Sequence, residues 1–206
     1  MEKQDIVKAL EELRKQDKRN FEQGVDLIVN MKKIDIKKTP INTFVHIPHK
    51  IRDRKVCAFL NKKNANVSTI IKDEFERYKD KKNVKKLARQ YEFFIASANL
   101  MPTVATTFGR VLGTLGKMPS PQLGVITSED NETINSILNK IGNNVRIKAK
   151  EASIKVLVGR EGMKDEEIAE NAIAIYNSIF SILPNKNDNI KSVLIKFTMS
   201  KPKKIM

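Results

Sequence analysis

The hydrophobic pattern of the chain changes period several times. Ile6, Leu10 and Leu13 recur at i, i+4 and i+7, one face of a helix, and predict an amphipathic helix over residues 2–17. From Phe21 the period drops to two. Val25, Leu27, Val29 and Met31 alternate with polar neighbours through FEQGVDLIVNMKKID, which predicts a long half-buried strand. TPINTFVHIPH opens on a Pro turn and holds a short strand near Phe44–Ile47. KVCAFL (55–60), NVSTII (66–71) and FFIAS (93–97) read as short β-rich runs, with the charged, helix-prone Asp73–Gln90 between the last two. NETINSILNKI (131–141) returns to helical spacing through Ile134, Ile137, Leu138 and Ile141. After VRIKAK (145–150), SIKVLVGREGM reads as a strand ending in a glycine turn at Gly159 and Gly162. Asp165–Leu183 predicts a helix with Ile168, Ala172, Ile175 and Ile179 in register, and Glu166 and Glu167 suit its positive end. Pro184 and a polar turn stop it, and SVLIKFTM (192–199) is the last strand.

Through residues 55–141, alternating strand and helix signals point to a parallel sheet with helices packed on it. The C-terminal strand–helix–strand cannot bury both of its faces alone, and the N-terminal helix and long strand have the same problem. The simplest solution pairs the two ends into one domain. The expected fold class is therefore mixed α+β and α/β with two domains. A split β-α-β (ferredoxin-like) domain from residues 1–53 and 151–206 would enclose an inserted α/β domain from residues 54–150. One continuous domain is the alternative.

Charge narrows the partner. The chain carries 39 Lys+Arg against 24 Asp+Glu, a net charge of +15 over 206 residues, which predicts attraction to a polyanion, nucleic acid before an anionic membrane. The bases cluster at Lys32/Lys33/Lys37/Lys38, at Lys50/Arg52/Arg54/Lys55, through Lys79–Arg89, and in the acid-free stretch from Lys196 onward. No apolar run approaches the roughly 20 residues of a membrane span, and the charged N-terminus MEKQDIVKALEELRK has no apolar signal-peptide core. A single cysteine, Cys57, rules out an internal disulfide and reads as a small core residue in a reducing cytoplasm.

Chemical motifs are few. GRVLGTLGKMPSP places Gly109, Gly113 and Gly116 ahead of Lys117. It fails the P-loop pattern, because Val111 stands at the first glycine and Met118 at the Ser/Thr, and it fails G-x-G-x-x-G at Val111. Gly113–Gly116 does satisfy the GXXG of a KH clamp. Structural glycines, a nucleotide-binding enzyme using the Gly113–Lys117 loop and a KH-like nucleic-acid binder stay open. His46 and His49 have no carboxylate or thiol at ligand spacing, so no metal is expected. With no GxSxG, no HExxH and no carboxylate pair, no catalysis and no cofactor are expected. Phe21 follows Lys18, Arg19 and Asn20, where an exposed ring would stack on RNA and a buried one would join the core.

RNFEQGVDLIVNMKKID (19–35), HIPH (46–49), FFIASANLMP (93–102), GRVLGTLGKMPSP (109–121), VLVGREGMKDEEIAEN (156–171) and VLIKFTMSKPKKI (193–205) together resemble the large-subunit ribosomal protein one family, in the archaeal form. The resemblance spans nearly the whole chain in family order. It implies a domain built from both termini and an inserted three-layer α/β (Rossmann-like) domain. It further implies binding to large-subunit rRNA in the stalk beside the tRNA exit site, and to a mimic of that rRNA on the protein's own mRNA, repressing translation. Exit-site tRNA is an implied neighbour. The expected protein is a cytoplasmic, ribosome-bound non-enzyme, monomeric outside the ribosome, with no membrane and no small-molecule substrate. Family RNA contacts map to Arg19, Asn20, Phe21 and Gln23, then to Thr198, Met199 and Ser200, with Lys196 and Lys201 adding charge. Ser200 stands where the family has glycine, Lys201 where it has proline, Gly24 where Ser or Thr is common, Lys50 where Gly is usual, and Thr114-Leu115 where Pro-Arg is usual.

Overall fold

The computed structural model describes residues 1–16, 19–35, 41–149 and 151–206. Lys18, Lys37, Lys38, Lys150 and the expected turn at Thr39-Pro40 lie outside them. In chain order the first elements are α1 (Lys3–Arg14), β1 (Gly24–Met31), β2 (Asn42–His46), β3 (Val56–Leu60), β4 (Ser68–Ile71), α2 (Lys81–Gln90) and β5 (Phe93–Ser97). There follow α3 (Met101–Leu112), β6 (Val125–Ile126), α4 (Asn131–Gly142), β7 (Asn144–Lys148), β8 (Ser153–Arg160), α5 (Asp165–Ile182), β9 (Ile190–Phe197) and β10 (Lys203–Lys204). They form two compact units, Met1–Ile51 with Asn143–Met206, and Arg52–Gly142.

In the first unit the strand order is β10-β9-β1-β8. β1 runs antiparallel to both β8 and β9, so α5 carries the chain from one side of β1 to the other. The period-two pattern read on β1 is its burial pattern: Val25, Leu27, Val29 and Met31 join Ile154, Val156, Val193 and Ile195 under α1 and α5. α1 contributes Ile6, Leu10 and Leu13, and α5 contributes Ile168, Ala172, Ile175 and Ile179. Each such large aliphatic side chain contributes about 1.5–3 kcal/mol on burial. β7 pairs antiparallel with β2, and both feed this same core through Val45, Ile47, Val145 and Ile147. The chain thus rejoins the first unit at Asn143, earlier than the expected boundary at 150.

β8 departs from the reading at Gly159, which lies inside the strand and not in the turn. A Cβ there would stand 2.7 Å from Ile168 Cγ1, so its lack of a side chain lets α5 settle against the sheet. Beside it the ladder skips a residue. Val25 faces Gly159 and Asp26 faces Leu157, which leaves Val158 as a bulge.

In the second unit β4-β3-β5-β6 are all parallel. Both faces of β3 are buried, which is why KVCAFL reads as an unbroken apolar run. Cys57 and Phe59 point to α2 and α3, where Phe59, Phe75, Phe94 and Phe108 cluster with ring centroids 4.7–5.8 Å from Phe59. Val56, Ala58 and Leu60 point the other way, to Ile134 and Ile141 of α4. Burial pushes the Cys57 thiol up to about 12, so it stays protonated and packs as a hydrophobe.

The glycine-rich stretch belongs to α3, a helix the sequence pattern does not announce. Pro102 sits in its first turn, and Val104, Phe108, Val111 and Leu112 are its buried face. It ends in a Schellman turn. Gly116 takes a φ of 67°, its N–H donates to Gly113 O at 3.0 Å, and the Lys117 N–H donates to Leu112 O at 2.8 Å. The Lys117 ammonium donates to Ala88 O (2.6 Å) and Tyr91 O (2.9 Å), the open carbonyls at the end of α2. Both the nucleotide-loop and the KH readings need this turn to present free N–H groups or a free cation to phosphate. The Gly116 and Lys117 amides and the Lys117 ammonium are already committed within the fold, so the structure corrects both readings. Gly109 is different: a Cβ there meets nothing within 4 Å. Gly109→Ala is therefore expected to raise stability by about 0.5–1 kcal/mol. Gly116→Ala is expected to lower it by about 1–2 kcal/mol. Urea midpoints of the two variants check both signs.

Candidate nucleic-acid interface

Antiparallel pairing sets the approach to β1 beside the exit from β9. Val25 faces Phe197, so residues 19–24 and 198–201 meet at one edge of the sheet. A set of hydrogen bonds fixes them there. The Gly24 N–H donates to Thr198 Oγ1 and the Thr198 N–H to Gly24 O, both at 3.0 Å. Gln23 is 5% exposed, and its side-chain carbonyl accepts the Met199 N–H at 3.2 Å. The turn after β8 joins in. The Glu161 N–H donates to Gln23 O at 2.9 Å, the Gln23 N–H donates to the Glu161 carboxylate at 3.3 Å, and Arg160 pairs with Glu22 at 2.5 Å.

This buckle presents two large apolar side chains to solvent: Phe21 is 51% exposed and Met199 is 60% exposed. Asn20, Arg19 and Lys201 are exposed beside them. Of the nine residues the sequence singled out, Arg19, Asn20, Phe21, Gln23, Thr198, Met199, Ser200 and Lys201 come together here. Gln23 does so as the buried support of the Met199 backbone. Lys196 does not join this rim. It lies half-buried on the sheet face away from the helices, opposite Asp26. Burial raises the Asp26 carboxyl above its usual range, and Lys196 pulls it back down.

Ser200 closes the turn with its side chain. Its Oγ accepts the Phe197 N–H at 2.8 Å and lies 3.3 Å from Phe197 O and 3.2 Å from Lys201 O, to either of which it donates. Its φ is not positive, so this turn does not call on the conformational freedom of the glycine that the resemblance leads one to expect. Gly24 makes room for its neighbours on the open face, where a Cβ would lie 2.7 Å from Leu157 Cδ1, too close for contact, and 3.5 Å from Thr198 Oγ1.

A groove of about 390 Å³ runs from the end of α1 to this turn, lined by Arg14, Lys15, Gln16, Arg19, Met199 and Lys201 among others. Arg14 was not singled out by sequence. Its guanidinium contacts Asp165 (2.7 and 2.9 Å), Glu161 O (2.9 Å) and Met163 O (3.0 Å), and so ties the turn after β8 to α1. Nothing local in the sequence marks Arg14 or Glu161, because their partners are more than 130 residues away. Arg19 and Lys201 make no ion pair among the described residues, so their charge is open to a ligand.

Comparison with known proteins finds relatives of the chain. Residues 13–201 match the Ribosomal protein L1p/L10e family. The chain is 36% identical to "Large ribosomal subunit protein uL1" of Pyrobaculum neutrophilum, over 97% of this chain and 91% of that one. It is 37% identical to the protein of the same name from Methanothermobacter thermautotrophicus, over 95% and 96% of the two chains. A third, from Methanothermococcus thermolithotrophicus, is 35% identical over 100% and 99%.

Proposed function

The chain belongs to the Ribosomal protein L1p/L10e family, and from that premise we propose that it is a structural component of the large ribosomal subunit that holds the rRNA of the stalk beside the tRNA exit site. It works on the cytoplasmic ribosome and is not an enzyme. In this reading the terminal unit is a split β-α-β, ferredoxin-like domain that binds RNA, and the insert is a three-layer, Rossmann-like α/β domain.

The observation that carries the reading is the pair Phe21 and Met199, more than half exposed at one sheet edge between Arg19 and Lys201, whose charges stay open. Apolar side chains held out by a hydrogen-bonded buckle stabilise the free protein little. They suit a ligand that presents flat, partly apolar faces beside negative charge, as RNA does. Phe21 and Met199 cover the contact and exclude water, which strengthens the polar contacts made by the Thr198 hydroxyl and Asn20. Gln23 and Ser200 position the two segments. Arg19 and Lys201 engage phosphates, and Lys196 adds to the field, so affinity falls with salt. A segment of the protein's own mRNA folded like the stalk would fit the same edge, which gives translational repression a physical basis. Exit-site tRNA is a neighbour on the ribosome, and outside it the protein is a monomer.

The test is binding of the full chain to a large-subunit rRNA stalk fragment and to an unrelated hairpin of equal length across a salt series. The stalk fragment is expected to bind about 1,000-fold tighter or more at physiological salt. Equal affinities at every salt concentration would remove the specific site.

A further inference from the structure

The insert carries a second cationic surface, built by α2 and the end of α3. α2 reads KKNVKKLARQ, with five cations and no acid. Its apolar stripe Val84, Leu87 and Ala88 is buried, which leaves Lys81, Lys85 and Arg89 in line and exposed. Four residues apart, these charges repeat about every 6 Å along the helix, close to the step between phosphates on a nucleic-acid strand. Across a groove of about 350 Å³ stand Arg110, Thr114 and Leu115, the last 54% exposed.

Nothing among the described residues neutralises this groove. From Lys81 to Ser128 the only acid is Glu92, and it pairs with Arg52 at 3.0 Å. Asp80 caps α2 by accepting the Lys82 N–H at 3.0 Å. Lys81, Lys85, Arg89 and Arg110 make no ion pair among the described residues. The arrangement costs local stability. Lys81/Lys85 and Lys85/Arg89 are like-charged i, i+4 pairs, each unfavourable, and Lys81 and Lys82 stand at the positive end of the helix dipole. A polyanion in the groove would reverse both penalties.

We propose that the α2–α3 groove is a second RNA contact, independent of sequence, in which Lys81, Lys85, Arg89 and Arg110 engage consecutive phosphates and Leu115 packs against the sugars. It rests on the RNA-binding reading of the chain, but on none of the residues of the Phe21–Met199 edge. An even row of long cations with one exposed aliphatic side chain fits a phosphate backbone better than an acidic protein, which needs a larger apolar anchor.

The test uses the full chain, with an unrelated RNA duplex and the stalk fragment as probes. The variant K81Q/K85Q/R89Q is compared with K8Q/K62Q/K191Q, which removes the same charge from exposed positions elsewhere. On the duplex, the slope of log K against log [salt] is expected to become shallower by about 2 or more in the groove variant, at ~0.7–0.9 for each phosphate no longer neutralised. The control is expected to change it by less than about 1. The groove variant should keep its preference for the stalk fragment. Equal slopes in the two variants would overturn the proposal and leave the groove to an acidic protein partner. Loss of stalk preference in Phe21 or Met199 variants bears on the edge alone, so the two readings fail separately.

Discussion

Met199→Ala and Phe21→Ala are each expected to weaken binding to the stalk fragment by about 10- to 100-fold while leaving the fold intact. Truncating a side chain that stacks on or covers a base costs roughly 1–3 kcal/mol, and each 1.4 kcal/mol is tenfold in affinity. Neither side chain supports the core, Phe21 being 51% and Met199 60% exposed, so unfolding free energies should stay within about 0.5 kcal/mol of wild type. No charge is removed, so the salt slope should stay unchanged. Lys201→Gln should do the opposite, flattening the slope by about 0.7–0.9 with a smaller loss of affinity. Conservative changes sharpen the assignment. Met199→Leu keeps the volume and should bind nearly as wild type. Phe21→Tyr keeps a flat ring and should bind, whereas Phe21→Leu should not if stacking is the contact. Wild-type affinity in both alanine variants would move the site elsewhere.

What could be read from sequence divides along physical lines. β1 was legible because one of its faces is buried under α1 and α5, and that burial writes itself as strict alternation from Val25 to Met31. β3 was legible as an apolar run because both faces are covered. α3 was hidden, since MPTVATTFGRVL has a proline, a glycine and three threonines among the residues that would report helix. The pairing of β7 with β2 was hidden too: Asn42 meets Lys148 across more than 100 residues, and neither strand carries a register signal. At the interface, Phe21 stood out through its basic neighbours, and Thr198–Ser200 stood out only through family resemblance. The roles of Gln23, Arg14 and Glu161 depend on contacts 138 to 176 residues apart, which no local pattern encodes.

Asn171→Leu is expected to lower stability by about 3–5 kcal/mol, because it removes three side-chain hydrogen bonds to the backbone at a fully buried position. Asn171 is fully buried on α5. Its Oδ1 accepts the His49 N–H at 3.0 Å, and its amide donates to His49 O at 2.9 Å and to Val158 O at 3.0 Å. The third contact follows from the bulge: Val158 has no partner on β1, so its carbonyl turns to the helix. Leucine fills much the same space but takes away all three hydrogen bonds, at ~1–3 kcal/mol each before relaxation. Asn171→Asp separates this account from a packing effect. An ionised aspartate accepts from the His49 N–H but repels the two carbonyls, so its folded pKa must rise above its ordinary value. The deficit of the aspartate variant should therefore grow as pH rises from about 5 to 8, whereas that of the leucine variant should stay flat. The contacts of neighbouring Glu170 with Lys3 and His49 are common to wild type and both variants and cancel in the comparison. Glu170 is held down at about 2 by Lys3 and His49, so its contribution is present above its ordinary 4.5 and is lost only as pH falls toward 2. Denaturant unfolding at the two pH values measures the difference. A leucine variant as stable as wild type would show that His49 and Val158 find other partners.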